Sequence, residues 1–293
     1  MQEIGSFKTL KANINLIDEA FDVSQSGSYH LSIQTEPDSL SFCVCNTALN
    51  KYMLLRNYIF PEADYLVSAD IYSSIFENDD LLKLNYKSSS HLWISPCSTL
   101  VPNHLFDPDE AETCLVFNHG KMTDEQTQHH DIKPLNLINI FSCPEALTIM
   151  LRKYQPNIRL FHQTAPFIET VIAAPSMTHS LRIAVFFYSP YLDIVVVENQ
   201  KLLFYNTFHI VAPEDSVYYL TGVSNLFNID LLTTRLMYAG DLNQIPPEVA
   251  ILKNYVESFV ECIPSNAFTY SHNIPVTFRK KFINLFNLYG CES

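Results

Sequence analysis

NLINIFSCPEALTIMLRKYQPNIRLFHQTAPFIETV, residues 136–171, alternates short apolar runs with segments of helical spacing. Leu137 to Phe141 is a compact apolar run of strand length. Pro144 to Tyr154 then carries helical spacing, with proline at the opening position, where a missing N–H costs nothing. Ile158 to His162 is another short strand, and Ala165 to Ile172 another helix. Strand, helix, strand, helix in immediate succession indicates an α/β lobe.

Upstream of this stretch, three β-type runs succeed one another: His30 to Thr35, Leu40 to Asn46 and Tyr52 to Phe60. Glu36-Pro37-Asp38-Ser39 marks the first turn and Asn46 to Lys51 the second, so the three read as an antiparallel meander. Helical periodicity over Asp64 to Phe76 and a strand at His91 to Ser95 come next. About 25 poorly periodic residues precede the meander. Tyr86 to Ser90 and Gly120 to Gln128 read as exposed loops or edges.

Downstream, the plan restarts. Arg182 to Tyr188, Leu192 to Val197 and Lys201 to Phe208 form three strands joined by tight turns. Pro213 to Phe227 reads as a helix, Arg235 to Ala239 as a buried strand, Pro247 to Val260 as a helix and Val276 to Leu288 as a terminal helix. The repeat lies in element order and not in residue identities. With no low-complexity linker, two lobes packed on each other are expected.

Composition bounds the function. The net charge of −13, from 31 acidic and 18 basic residues, repels phosphate backbones, so no nucleic-acid partner is expected. Arg279, Lys280 and Lys281 read as a solvated helix face. Seven unevenly spaced cysteines suit free thiols in a reducing compartment. The N-terminal residues lack an uninterrupted apolar segment, and Ile183 to Val197 is broken by Ser189, Pro190 and Asp193. A cytoplasmic protein without membrane insertion is expected.

A three-stranded meander, helix and strand, repeated after a connecting helix, resembles the actin-like ATPase fold shared by actin, sugar kinases, FtsA and PilM. Residues 136–171 look like the connection that ends the first lobe in the PilM-like branch. With residues 28–60 ahead of it and 183–208 behind it, the chain resembles a bacterial family of unknown function with that fold. The resemblance covers most of residues 28–290. It implies an α/β, duplicated actin-like ATPase (ribonuclease H-like) fold of two lobes, each with a mixed sheet and helices. The first lobe would span 1–177, with 1–27 as a lead-in. The second would span 178–293, its C-terminal helix packing back on the first.

Active members of that fold hold nucleotide phosphates between two hairpins of the form Asp-x-Gly-Thr or Asp-x-Gly-Gly, whose acidic side chains also position hydrated magnesium. The matching turns here read Gln34-Thr35-Glu36-Pro37-Asp38-Ser39 and Phe187-Tyr188-Ser189-Pro190-Tyr191-Leu192, both without glycine. A backbone N–H approaches a phosphate closely where no Cβ intrudes and φ can turn positive. Proline removes a donor and fixes φ negative. The chain has only six glycines, and neither a P-loop nor a G-x-G-x-x-G sequence occurs. Leu236 to Leu242 resembles the strand-to-glycine turn that meets adenosine in the fold, which makes Gly240 and Asp241 candidate nucleotide contacts. Without a ligand, Gly240 ends a buried strand and Asp241 caps the next segment.

Other constellations have plainer explanations. Cys43 and Cys45 share one face of a strand, as a soft-metal site would begin, but no second pair completes it and two core thiols suffice. His129, His130 and Asp131, near His119, would alternate across a polar edge strand and cannot chelate together. Asp107, Asp109, Glu110 and Glu112 suit the first turn of a helix. No G-x-S-x-G elbow or catalytic cysteine signature occurs.

These observations assign no catalytic residue, metal or cofactor. They favour a non-catalytic binding or scaffolding protein with a protein partner. The alternative is a weak ATP-binding protein or phosphotransferase that keeps Gly240 and Asp241 as its nucleotide contacts. A third possibility places partner binding on exposed aromatics such as Tyr86, Trp93 or Tyr191.

Overall fold

The computed structural model describes residues 10–36, 38–60, 69–174, 181–240 and 245–292. They fall into two compact units. The first holds the described residues up to Gln163 together with Asn266–Ile274 and Glu292, and the second holds those in Thr164–Ser265 and Pro275–Cys291.

In the first unit, β2 (Tyr29–Glu36), β3 (Ser39–Asn46) and β4 (Lys51–Ile59) form the expected antiparallel meander. On its other side β2 pairs in parallel with β5 (Ser88–Trp93), and β5 with β9 (Arg159–His162). The outer edge of β4 carries two short strands, β1 (Ile14–Ile17) and β15 (Thr269–Tyr270), which complete a seven-stranded sheet. Along β2 and β3 the side chains alternate between two covered faces. Leu31, Ile33, Leu40, Phe42 and Val44 meet Tyr72, Ile75 and Phe76 of α1 (Ala69–Asn78) and Leu147 and Leu151 of α3 (Glu145–Tyr154). His30, Ser32, Gln34, Ser41, Cys43 and Cys45 point the other way and are buried as well.

Between β5 and α3 the chain inserts a separate antiparallel sheet, in the order β6 (Ser98–Pro102), β8 (Leu137–Pro144) and β7 (Glu125–Ile132). One face is covered by α2 (Ala111–His119) through Ala111, Leu115, Ile138 and Ile140. The acidic run behaves as expected: Asp107 caps a 3-10 turn over Pro108–Glu110 that leads into α2.

The second unit repeats the first sheet's logic. Its five strands run in the order β12 (Lys201–His209), β11 (Tyr191–Glu198), β10 (Leu181–Tyr188), β13 (Arg235–Ala239) and β14 (Ser258–Glu261). The first three are an antiparallel meander, and β10, β13 and β14 are parallel, which matches β4-β3-β2-β5-β9 strand for strand. Ile183, Val185, Ile194 and Val196 pack under α5 (Pro213–Leu226) and α6 (Pro247–Ala250). The opposite face takes α4 (Thr164–Ala173), where Phe167 meets Phe186 at 5.6 Å between ring centroids.

Gly120 ends α2 at φ 78°, and Glu125–Gln128 belongs to β7, the exposed edge strand of the inserted sheet, in keeping with its reading as a loop or edge. Three expectations are corrected. Ser88–Ser90 is a central buried strand and neither a loop nor an edge, hydrogen-bonded between β2 and β9. The helix expected over Pro247–Val260 stops after a 3-10 turn at Asn254, and Ser258–Glu261 adds as a parallel strand to the open edge of β13, pairing that outweighs local helical spacing. The terminal helix is broken at Phe282 into α7 (Val276–Lys281) and α8 (Ile283–Asn287). Part of the lead-in forms β1, and residues 64–68 of the first expected helix lie outside the described residues.

Asp79 ties the first meander to the segment after α1. Its carboxylate accepts from Arg56 Nη1 at 2.7 Å, Tyr58 Oη at 2.7 Å and the Leu81 N–H at 3.1 Å. Replacing Asp79 with Ala leaves a mostly buried guanidinium without its counter-ion, and a loss of about 3–5 kcal/mol is expected in urea unfolding. A change below about 1 kcal/mol would show that the guanidinium reaches water without cost.

Candidate functional site

In open α/β sheets, ligands gather at the carboxyl ends of the parallel strands. The turn between β2 and β3 sits at that end of the first unit, and the turn between β10 and β11 at that end of the second. Each is a two-residue hairpin, closed by Glu36 opposite Ser39 and by Tyr188 opposite Tyr191. Pro37 lies outside the described residues. No described residue of either tip takes positive φ, and the second tip turns through a cis Ser189–Pro190 peptide. Among the described residues, neither tip offers the positive-φ backbone from which a concave ring of phosphate-holding N–H groups is built.

The first tip is acidic. Gln34 donates to the Glu36 carboxylate, and Tyr72 Oη donates to the Glu36 carbonyl at 3.0 Å. Burial, with the neighbouring Glu36 and Asp38 charges, pushes the Tyr72 phenol well up, so it stays a neutral donor. Beyond the tip, the ends of β5 and β9 close on each other. Gln163 Nε2 donates to the Ser95 carbonyl at 2.6 Å while its Oε1 accepts from the Ser95 N–H at 3.1 Å. His162 Nε2 lies 2.9 Å from the Ser95 carbonyl, and Thr35 Oγ1 lies 2.7 Å from His91 Nε2.

The second tip is aromatic. Phe186, Tyr188, Tyr191 and His209 form a chain of rings with successive centroids 5.2–5.8 Å apart. Beneath it lies Asp193, fully buried, whose carboxylate accepts from Thr207 Oγ1 at 2.6 Å and from Tyr188 and Tyr205 Oη at 3.1 Å each. Thr164 Oγ1 donates to Tyr205 Oη at 2.9 Å. Burial first, and then the Asp193 charge, hold both phenols well above their ordinary range. Three hydroxyl donors are what a carboxylate removed from water needs.

Gly240 closes β13 at φ 123°, and a Cβ there would stand 3.1 Å from the ring of Tyr238. The backbone conformation favours glycine there, and a side chain would press on the Tyr238 ring. Asp241 lies outside the described residues.

The remaining sequence candidates are separated by the fold. Cys43 and Cys45 share a buried face, and burial drives both thiols up, Cys45 to about 12. His129 is exposed against Phe106, while His130 turns to the opposite face against Phe141 and Phe161. His119 instead lies 2.9 Å from the Ser98 carbonyl. Among the described residues no group of His, Cys, Asp and Glu could hold a metal ion. Lys280 is paired with Glu261, and Lys281 lies over the Phe282 ring. Tyr86, Trp93 and Tyr191 are half-buried, a correction to their reading as exposed anchors, because Tyr86 and Trp93 pack on the first core and Tyr191 lies in the aromatic chain. Sequence reasoning missed Asp193 and its hydroxyl donors, which only the strand register brings together.

A meander-first sheet in the order 3-2-1-4-5, present twice and covered by helices, defines the actin-like ATPase fold. The chain belongs to the family DUF3822, proteins of unknown function, whose model matches residues 18–259. A Bacteroides thetaiotaomicron protein with actin-like ATPase fold and unknown function superposes with a TM-score of 0.78 at 23% identity, over 92% of this chain and 99% of that one. A chain of the PilM-PilN type IV pilus biogenesis complex superposes with a TM-score of 0.55 at 11% identity, over 90% and 99%. No curated protein matches the sequence. Among the described residues no helix is long and apolar enough to cross a membrane.

Burial also sets a pH dependence. His30, His91 and His162 are fully buried, and loss of hydration lowers each to about 3. Their folded values lie below the unfolded value near 6.5, so acid favours the unfolded chain. Stability is complete above roughly pH 6.5 and falls as pH drops toward about 3. Glu169 and Glu292, raised by burial, act in the opposite sense. Chemical unfolding at pH 5.5 against pH 7.5 is expected to show a loss of about 1 kcal/mol per buried histidine, reduced for each one replaced by Gln. An unchanged difference between the two pH values when His91 is replaced by Gln would refute neutral burial.

Proposed function

We propose that this chain is a non-catalytic binding or scaffolding protein, in which the actin-like fold presents surfaces to a protein partner and does not turn over a nucleotide. The observation that carries the reading is the pair of hairpin tips. They lack glycine, each includes a proline in the sequence, and no described tip residue takes the positive φ that an anion-binding loop uses. Electrostatics adds to it, since Glu36 and Asp38 at the first tip repel a triphosphate. A solved fold relative, PilM, is described in complex with PilN, which fits a role in protein binding. The net charge of −13 disfavours nucleic acid as the partner, and a cytoplasmic location suits the free thiols.

Titration calorimetry with ATP and magnesium is expected to show no saturable heat. Magnesium-dependent binding at micromolar strength or better would contradict the reading.

A second reading keeps a weak nucleotide site at the end of β13, where Gly240 takes a φ of 123° beside Asp241. On this reading ATP raises the unfolding midpoint by mass action, and Asp241→Ala cancels the rise. An unmoved midpoint at millimolar ATP would remove it.

A further inference from the structure

Three features of the second unit have no explanation among the described residues of a single chain. The first is the edge of its sheet. β12 is a nine-residue strand paired with β11 on one side and, among the described residues, with no strand on the other. The Ile210 N–H continues the ladder to the Pro190 carbonyl at 2.7 Å, so from Phe204 to Ile210 the even-numbered residues address β11 and the backbone of Tyr205, Thr207 and His209 faces outward, the Thr207 N–H meeting Asn206 Oδ1 at 3.0 Å, while Leu203 sits at a bulge opposite Val196. Protected edges carry proline, several charges or a covering segment. β12 has no proline, and Lys201 is its sole Lys, Arg, Asp or Glu.

The second feature is the helix flanking that edge. From Ser216 to Ile229 no charged residue occurs, although the helix is at the surface. Tyr218 and Leu226 are 75% and 66% exposed, and with Gly222 they form one stripe at i, i+4 and i+8. The stripe lies on the β12 side of α5, because Tyr219 beside it stacks on Phe208 with centroids 4.5 Å apart. A groove of about 470 Å³ runs there, lined by Phe208, Tyr218, Tyr219, Gly222 and Leu226 among others.

Gly222 is the third. Glycine in a helix interior costs stability relative to alanine. Nothing lies within 4 Å of a Cβ built at Gly222, so the chain's own packing does not demand it.

We propose that these features are one interface: β12 pairs antiparallel with β12 of a second copy, and the two α5 helices meet across the two-fold axis at Gly222. Antiparallel pairing of identical strands is self-complementary, as an isologous contact requires. A single added peptide strand would satisfy the edge and leave Tyr218 and Leu226 in water. A second copy brings its own α5, which covers them, and the absent side chain lets the helices approach closely. Depletion of charge along both elements is what the centre of an interface shows.

This inference stands apart from the scaffolding reading, since nucleotide binding would leave it intact and a monomeric chain would leave scaffolding intact. Sedimentation equilibrium of the full chain up to roughly 100 μM is expected to give twice the monomer mass of 33.6 kDa. Leu226→Arg is expected to raise the dissociation constant by roughly 100-fold. Gly222→Ala provides the discriminating arm: it should weaken dimerisation about 10-fold while raising the unfolding midpoint of the dilute monomer. Monomeric wild-type protein throughout the series overturns the proposal, and so does a Gly222→Ala dimer as tight as the wild type.

Discussion

Burial of both faces of the central meander strands is the constraint on which the other features of the structure depend. In β2 and β3 seven of eight residues are buried in each strand. One face is apolar and takes helices, as in any two-layer packing. The other carries His30, Ser32, Gln34 and Ser41, so polar groups removed from water have to be bonded within the protein. His30 lies 2.8 Å from Ser88 Oγ, Ser90 donates to Glu292, and Asn57 donates to Ser41 at 2.9 Å. In the second unit Asp193 plays the corresponding part, with three hydroxyls as its donors. Polar networks of this kind tolerate one arrangement, because each broken bond strands a partner in low dielectric.

The same requirement explains why the carboxyl ends of the strands are occupied by the protein itself. Ser95, His162 and Gln163 direct their hydrogen-bonding capacity at one another, and Tyr188 and Tyr205 direct theirs at Asp193. The histidines there are neutral near pH 7 because burial removes the hydration that a cation needs. A fold that elsewhere grips phosphate with backbone amides here offers carboxylates at one tip and aromatic rings at the other.

Much of this architecture was legible in the chain before any coordinates. The six meander strands lie within one or two residues of their apolar runs, and Arg235–Ala239 has the bounds its buried pattern indicated. Strands covered on both faces announce themselves by continuous hydrophobicity. Of the inserted sheet, Leu137 to Phe141 marked β8 and His129 to Asp131 a polar edge strand, whereas β6 and the first half of β7, EQTQ, with one side wet, gave no alternation. β14 and β15 are short additions whose pairing comes from distant partners and not from local preference. Of the site, the two tips and Gly240 were visible as glycine and proline placements. The Tyr238 ring beside Gly240, and the hydroxyls around Asp193, come from spatial register and left no local signature.

One strand of two residues has a consequence for synthesis. β15 lies beside Lys51 and Tyr52, and Tyr52 packs on Phe268 and Tyr270 with centroids 5.3 and 5.4 Å away. The hydrogen bond from Thr269 to the Asn50 carbonyl spans 219 positions of sequence. A ribosome adding about 5–20 residues per second needs roughly 10–40 s to cover that distance. Throughout that interval the nascent first meander stands with Tyr52 uncovered, and a sheet begun early in translation waits for a strand made long afterwards.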